Sequence, residues 1–250
     1  MVTLHLLGTG AALSDASRTT TMLAVQGPQS LYLIDCGGDA AHRALNSNLN
    51  LASVNGLIVT HEHADHVGGF PLLMERLWLA GHTKPFPVYG TNAALRQVER
   101  LDSAFDTAAW PDYPPLDLFH VPELENQTVL TSPDFTVIAS PGNHAVPCIG
   151  LRFETAAGQA FAYSGDTEPC DSILRLARGA HTLVHEATGL FPGHTSARQA
   201  AEVAREAGVE KLVLVHIGPR TDGGAQLLEE ARTVFANTEL GYDGASYQLT

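Results

Sequence analysis

Short apolar runs alternate with amphipathic stretches along the whole chain, and this alternation predicts strands interspersed with helices. Strands are predicted over Val2–Leu7, Met22–Val25, Leu31–Ile34, Leu57–Thr60, Pro87–Tyr89, Phe135–Ser140, Cys148–Phe153, Ala160–Ser164, Thr182–Glu186 and Leu212–His216. Helices are predicted over Phe70–Leu79, Asn92–Leu101, Asp171–Ala177, Thr195–Ala207 and Gln226–Phe235. The proline- and aromatic-rich stretch Trp110–Pro122 is predicted to be a loop or lid. Because the two halves have similar content, the pattern favours a layered α/β architecture, with two sheets and helices outside.

Composition is that of an ordinary globular protein, with 44% hydrophobic and 16% charged residues. No uninterrupted apolar stretch of about 18 residues is present, so a membrane span is not expected. The N-terminal segment has no basic leader and no small-residue cleavage site, and it runs straight into a predicted strand. These features favour a cytoplasmic location. Cys36, Cys148 and Cys170 are few and widely separated, which is typical of small buried residues in a reducing compartment.

The formal net charge of −13 bears on the possible partners. Lys84 and Lys211 are the only lysines, and arginines form no cluster along the sequence. Strong binding of polyanions usually relies on several basic contacts to phosphates. The sequence therefore predicts no broad nucleic-acid-binding surface.

Histidine placement is the most informative feature among the twelve histidines of the chain. The run His61-Glu62-His63-Ala64-Asp65-His66 follows the predicted strand Leu57–Thr60. Residues two apart in a strand face the same side, so we expect His61 and His63 to reach one ion. After a turn, Asp65 and His66 can face a second ion. Imidazole and carboxylate are ligands of Zn²⁺ and related first-row ions, so the run predicts a metal site rather than a polar loop with satisfied histidines.

Further ligands are expected where later strands end. His144 follows the strand Phe135–Ser140 and a turn, Asp166 follows Ala160–Ser164, and His216 ends the strand Leu212–His216. Each residue alone could be an ordinary polar residue at a strand end. Together with the histidine run they offer enough donors for two coordination spheres.

These motifs resemble those of the metallo-β-lactamase superfamily. The resemblance covers nearly the whole chain and implies one domain over residues 1–250, with a four-layer αββα sandwich and a dinuclear site at the sheet edges. It implies that one ion is held by His61, His63 and His144, and the other by Asp65, His66 and His216, with Asp166 bridging the two. The implied cofactors are two divalent ions, with Zn²⁺ preferred and Mn or Fe as alternatives.

Two shorter motifs, His185-Glu186-Ala187-Thr188 and Gly193-His194-Thr195-Ser196, resemble those of the tRNA 3′-processing endonucleases called ribonuclease Z and of their phosphodiesterase relatives. The resemblance implies that His194 lies near a scissile phosphate and that Glu186 holds it. An imidazole can protonate a leaving alkoxide, so His194 is the candidate acid or phosphate-binding group, and Glu186 would orient it. Asp65 is a further candidate for aligning the attacking water. His185 lies within a predicted apolar strand and is assigned a structural role.

Departures from the ribonuclease Z pattern favour a smaller substrate. That branch usually has a long Gly/Pro-rich arm for gripping tRNA between the positions of His144 and Asp166, whereas only a short segment separates them here. A cyclic nucleotide, a cyclic sugar phosphate or an RNA 3′ end are the candidate substrates. Arg220 could contact a phosphate or be a solvated loop residue.

Other functions remain open at this point. A lactonase or thioesterase could use the same ions on a carbonyl carbon, and a non-catalytic binding module is a third class. A homodimer is expected by analogy with the phosphodiesterase branch alone. Trp78, Leu79 and the stretch Trp110–Phe119 could form its interface, form a lid, or cover the core.

Overall fold

The protein is described here by a computed structural model that covers residues 1–249, in which two seven-stranded sheets pack face to face. The strands are β1 (Val2–Gly8), β2 (Met22–Gln26), β3 (Leu31–Ile34), β4 (Gly56–Val59), β5 (Phe86–Gly90), β6 (Leu116–His120), β7 (Gln127–Thr131), β8 (Thr136–Pro141), β9 (Ile149–Glu154), β10 (Ala160–Tyr163), β11 (Thr182–Glu186), β12 (Lys211–Val215), β13 (Thr238–Leu240) and β14 (Ser246–Leu249). The helices are α1 (Ala40–Asn46), α2 (Ala64–Val67), α3 (Phe70–Leu79), α4 (Asn92–Asp102), α5 (Asp171–Ala177), α6 (Ala197–Ala207) and α7 (Ala225–Arg232), with a 3-10 turn at Leu51–Ser53.

The two sheets have matching topologies. The first has the order β14-β1-β2-β3-β4-β5-β6, and the second β13-β12-β11-β10-β9-β8-β7. In the first sheet, β14 through β3 pair antiparallel and β3 through β6 pair parallel. In the second, β7 through β10 are antiparallel and β10 through β13 are parallel. Because the carboxyl ends of parallel strands meet at one edge of a sheet, each half places its polar strand-end residues at a single rim.

Three buried apolar clusters lie between the layers. Leu6, Ile34, Phe153 and Val213 belong to the cluster between the two sheets. A second cluster joins the first sheet to α1, α3 and α4, and a third joins the second sheet to α5, α6 and α7. This arrangement confirms the predicted four-layer αββα sandwich. Within residues 1–249, no helix is long and apolar enough to cross a membrane.

Most predicted elements are present, with shifts of one to three residues at their ends. The helices Phe70–Leu79 and Asp171–Ala177 and the strands Leu31–Ile34 and Thr182–Glu186 have the predicted bounds. Helix α6 begins later than predicted because Ser196 is its N-cap, in a capping box with Gln199.

The prediction of a loop or lid over Trp110–Pro122 was wrong in its second half. Leu116–His120 is strand β6, which pairs parallel with β5 at the edge of the first sheet, where few of its side chains are buried. The first half packs against α3, since the rings of Trp78 and Trp110 stack with centroids 4.8 Å apart. None of Trp78, Trp110 or Tyr113 lines the cavity at the histidine cluster.

Candidate metal centre

The histidine run leaves the first sheet at the carboxyl end of β4. His61 and His63 lie in the loop that follows, and His63 is the N-cap of the short helix α2. The expectation that they share one face of a strand was therefore wrong. The turn nevertheless brings the two imidazoles close enough to bind one ion, because His61 Nε2 lies 3.0 Å from His63 Nδ1.

The three residues predicted for the first ion converge. His144 Nε2 lies 3.2 Å from the same His63 Nδ1, although it comes from the loop after β8 in the other sheet. His144 Nδ1 donates a hydrogen bond to the carbonyl oxygen of Gly193 at 2.8 Å, which leaves Nε2 directed into the cluster.

The residues predicted for the second ion also converge. His216 Nε2 lies 3.3 Å from Asp65 Oδ2 and 3.4 Å from His66 Nε2. Asp166 Oδ2 lies between the two groups, 3.9 Å from His61 Nε2 and 3.4 Å from each of His66 Nε2 and His216 Nε2. One carboxylate oxygen thus faces ligand candidates from both sets.

The chemistry of these donors fits divalent ions. The residues are imidazoles and carboxylates. Within each of the two predicted triads, the ligand atoms all lie within 4.8 Å of one another. Asp166 Oδ1 is buried and has no hydrogen-bond partner, which is costly for a carboxylate unless a cation satisfies it. Burial, with the positive neighbour His66, places the pKa of His61 well below its ordinary value, so its ring is neutral, as a metal ligand must be.

A buried carboxylate, that of Asp35, is hydrogen-bonded to one histidine of the cluster. Asp35 directly follows β3, is almost completely buried, and has a φ of 60°. Its Oδ2 accepts a hydrogen bond from His66 Nδ1 at 2.8 Å, and its Oδ1 accepts one from the backbone N–H of Thr60 at 2.8 Å. The sequence analysis gave Asp35 no role. Its position directly after a buried strand was the signal that could have found it.

The predicted pair Glu186 and His194 is formed. Glu186 ends β11 and is fully buried, and its Oε1 accepts a hydrogen bond from His194 Nδ1 at 2.9 Å. This hydrogen bond outweighs partial burial and raises the pKa of His194. The backbone N–H groups of Thr167 and Thr188 also donate to the Glu186 carboxylate.

His194 lies beside the cluster. Its ring is parallel to that of His216, with centroids 5.7 Å apart, and meets that of His144 edge-on at 5.0 Å. It is also close enough to Asp166 to complete a ligand group, so proximity alone leaves it two roles, acid or ligand. His185, by contrast, is buried, and its Nδ1 donates a hydrogen bond to the Glu186 carbonyl oxygen at 2.9 Å, as a structural residue would.

A cavity of about 450 Å³ opens above the cluster. Asp65, Asp166, His194, His216 and Arg220 are among the residues that line it. Among the described residues that line it, Arg220 is the one with a permanent positive charge. Its Nε lies 3.4 Å from Asp222 Oδ1.

Comparison with known proteins places this geometry among hydrolases. A family model described as the beta-lactamase superfamily domain matches residues 31–217. A ribonuclease Z of Methanothermobacter thermautotrophicus is 28% identical over 299 aligned positions that cover 97% of this chain and 95% of the relative. The metallo-beta-lactamase fold protein YhfI of Bacillus subtilis superposes with a TM-score of 0.82 at 23% identity, covering 99% of this chain and 100% of that one. Human tRNase Z, short form, superposes with a TM-score of 0.80 at 22% identity, covering 99% of each chain.

Proposed function

The chain belongs to the beta-lactamase superfamily, and from that premise we propose that this metal-dependent hydrolase cleaves phosphodiester bonds at a dinuclear centre. His61, His63 and His144 would hold one ion, and Asp65, His66 and His216 the other, with Asp166 between them. Zn²⁺ suits this donor set, with Mn or Fe as alternatives. When bound, two such ions lower the pKa of an attacking water and neutralise charge on a phosphate.

The observation that carries the phosphodiesterase proposal is the Glu186–His194 pair. A carboxylate that is fully buried holds His194 Nδ1 at 2.9 Å, while the His194 side chain stays partly exposed toward the cavity. The hydrogen bond fixes the proton on Nδ1 and presents Nε2 to a bound substrate. An alkoxide leaving group needs a proton, and a protonated imidazole in this position can supply it.

Asp65 has a second role in this proposal. Its Oδ2 lies 3.3 Å from His216 Nε2, and Asp65 is one of the residues that line the cavity. A carboxylate there can accept a hydrogen bond from a water molecule and align it for in-line attack on phosphorus.

Small or cyclic phosphodiesters fit the chain better than a folded tRNA, with an RNA 3′ end as the other candidate. The alignment with the archaeal ribonuclease Z spans 299 positions, more than the 250 residues of this chain, so the relative has segments that this chain lacks. The net charge of −13 also disfavours a large polyanion.

A homodimer is proposed by analogy, and light scattering coupled to size exclusion tests it.

One assay series tests the reaction class. Metal content is measured, and the loaded protein is then offered bis(4-nitrophenyl) phosphate, 2′,3′-cyclic nucleotides, a precursor tRNA and a lactone. We expect turnover of the first two at rates well above those of the metal-free protein. Hydrolysis of the lactone without cleavage of any phosphodiester would reject the proposal and favour a lactonase or thioesterase.

A further inference from the structure

The cavity above the metal cluster has two chemically different walls. Apart from the histidines and carboxylates, its lining is mainly apolar and includes Ala11, Leu13, Phe191 and Leu227. Leu13 is 74% exposed and Phe191 is 62% exposed, so two large apolar side chains stand open to solvent at the lip of a charged site. Apolar groups left exposed at a binding cleft are typical of surfaces that a ligand covers.

The loop that carries Phe191 is tied down at both ends. Gly189 N–H donates to the Thr195 carbonyl oxygen at 3.1 Å, and His194 N–H donates to the Phe191 carbonyl oxygen at 3.0 Å. Gly189 has a φ of 134°, a conformation that favours glycine, and the Phe191 ring packs 3.2 Å from where a Cβ would lie at that position. The ring is therefore pre-positioned relative to His194, only three residues away.

A second cavity lies next to Phe191. It is also lined by Phe191 and His194, together with Glu168, Pro169 and Gln199. The Phe191 side chain thus borders space on two sides, and both spaces reach the candidate acid. An aromatic ring held beside a phosphate-binding centre with open space around it is suited to stacking on a planar group attached to that phosphate.

We propose that Phe191 is a specificity-determining residue whose ring stacks on the nucleobase of the substrate, so that the substrate class is a nucleoside phosphodiester. This inference rests on the proposed phosphodiesterase function. It excludes a cyclic sugar phosphate without a base from the candidate substrates. A volume of about 450 Å³ accommodates a nucleotide. Stacking tolerates different bases because each has a π-face, and it needs none of the basic surface that the chain lacks.

The test compares two substrates that differ only in the base. They are adenosine 2′,3′-cyclic phosphate and the 2′,3′-cyclic phosphate of methyl riboside. We expect Phe191→Ala to lower kcat/KM for the adenosine diester by roughly tenfold, in line with the loss of one base–aromatic stack, and to change the methyl riboside diester less than twofold. Phe191→Trp should keep the preference for the base.

A matched control and a binding measurement separate the outcomes. Phe105 is also 62% exposed but lies at a different cavity, so Phe105→Ala should leave both substrates unchanged. Titration calorimetry on the metal-loaded protein, with adenosine 3′-monophosphate against methyl riboside 3′-phosphate, reports stacking without turnover. Equal losses for both ligands in Phe191→Ala, or a wild type that does not prefer the base, would overturn the inference. Failure to cleave any of the phosphodiesters offered would instead reject the proposed function, whatever the binding result.

Discussion

Asp35 Oδ2 accepts a hydrogen bond from the ligand candidate His66, whose Nδ1 lies at 2.8 Å, and both side chains are buried. The contact joins the ends of two neighbouring parallel strands, β3 and β4, since His66 belongs to the loop and helix that follow β4. It fixes the proton on His66 Nδ1 and leaves Nε2 for the cluster. Asp35 is thereby a positioning residue for the proposed metal site.

Asp35→Asn should weaken metal binding by roughly 10- to 100-fold, the range for loss of a partner that orients a ligand. The carboxylate accepts from Thr60 with one oxygen and from His66 with the other, whereas an amide offers one acceptor and turns a donor toward the remaining N–H. Competition with a chromophoric chelator measures the affinity. Asp117→Asn, on the exposed side of β6, is the control and should bind metal like the wild type. Unchanged affinity in Asp35→Asn would contradict the positioning role.

His194→Ala should retain both ions and slow phosphodiester cleavage by roughly two to four orders of magnitude, the range for a lost general acid. Metal content by mass spectrometry and single-turnover rates check the two halves of this expectation. The exposed His120 supplies a control, since His120→Ala should change neither. Loss of an ion from His194→Ala would make His194 a ligand.

Glu186→Gln tests whether Glu186 acts through His194. It should lower kcat with little change in KM, because the carboxylate contacts the His194 ring and not the cavity. In the double variant with His194→Ala, the loss should be no larger than in His194→Ala alone, since the two residues would act as one unit. Multiplied losses would show instead that Glu186 acts through the backbone of Thr167 and Thr188, to which it is also bonded.

Gly37→Ala should destabilise the fold and reduce its metal content together. A Cβ at this position would lie 1.7 Å from the carbonyl oxygen of Asp65, so the turn after β3 and the start of α2 could not keep their spacing. Such overpacking costs about 1–3 kcal/mol of the free energy of unfolding. Gly218→Ala is the control, because its nearest neighbour is 3.7 Å away in ordinary contact. Denaturant unfolding with metal analysis checks both effects; a Gly37→Ala protein as stable as Gly218→Ala would contradict the expectation.

The sequence predicted the layers and the cluster because both depend on local signals. Buried parallel strands are continuous apolar runs, and a ligand type directly after such a run, as at Asp166 and His216, marks the rim. The four edge strands β6, β7, β13 and β14 were missed for the opposite reason. β6 is half exposed and follows two prolines, and β14 is defined by its pairing with β1 at the other end of the chain.

The hydrogen bond that supports His66 and the exposed phenylalanine at the cavity could not be predicted from local sequence patterns either. Asp35 and His66 are 31 residues apart, and no local pattern states that their side chains meet. Phe191 lies in a loop where a hydrophobic residue has no periodic neighbours, so its exposure could be seen only in the fold. The Glu186–His194 pair was predicted through the family resemblance, since their spacing alone defines no turn or helix.

Removal of metal by a chelator should lower the Tm, because the ions would bind the folded cluster and have no comparable site in the unfolded chain. At a free-metal concentration 100-fold above Kd, each site contributes about 2.7 kcal/mol, so the loss of both ions should lower the Tm by roughly 10 to 20 °C for a chain of this size. Two features explain why bound metal would stabilise the fold. Asp166 Oδ1 is buried without a hydrogen-bond partner, and His66 Nε2 lies 3.4 Å from His216 Nε2, so a cation would satisfy groups that are otherwise unpaired. Scanning calorimetry before and after chelation measures the shift, and chelator pre-saturated with the same metal that the protein holds is the control. The fall should be smaller in Asp35→Asn, since its weaker sites contribute less at the same metal concentration. A Tm that is unchanged after verified removal of both ions would contradict this expectation, because it would mean that metal binding does not stabilise the fold.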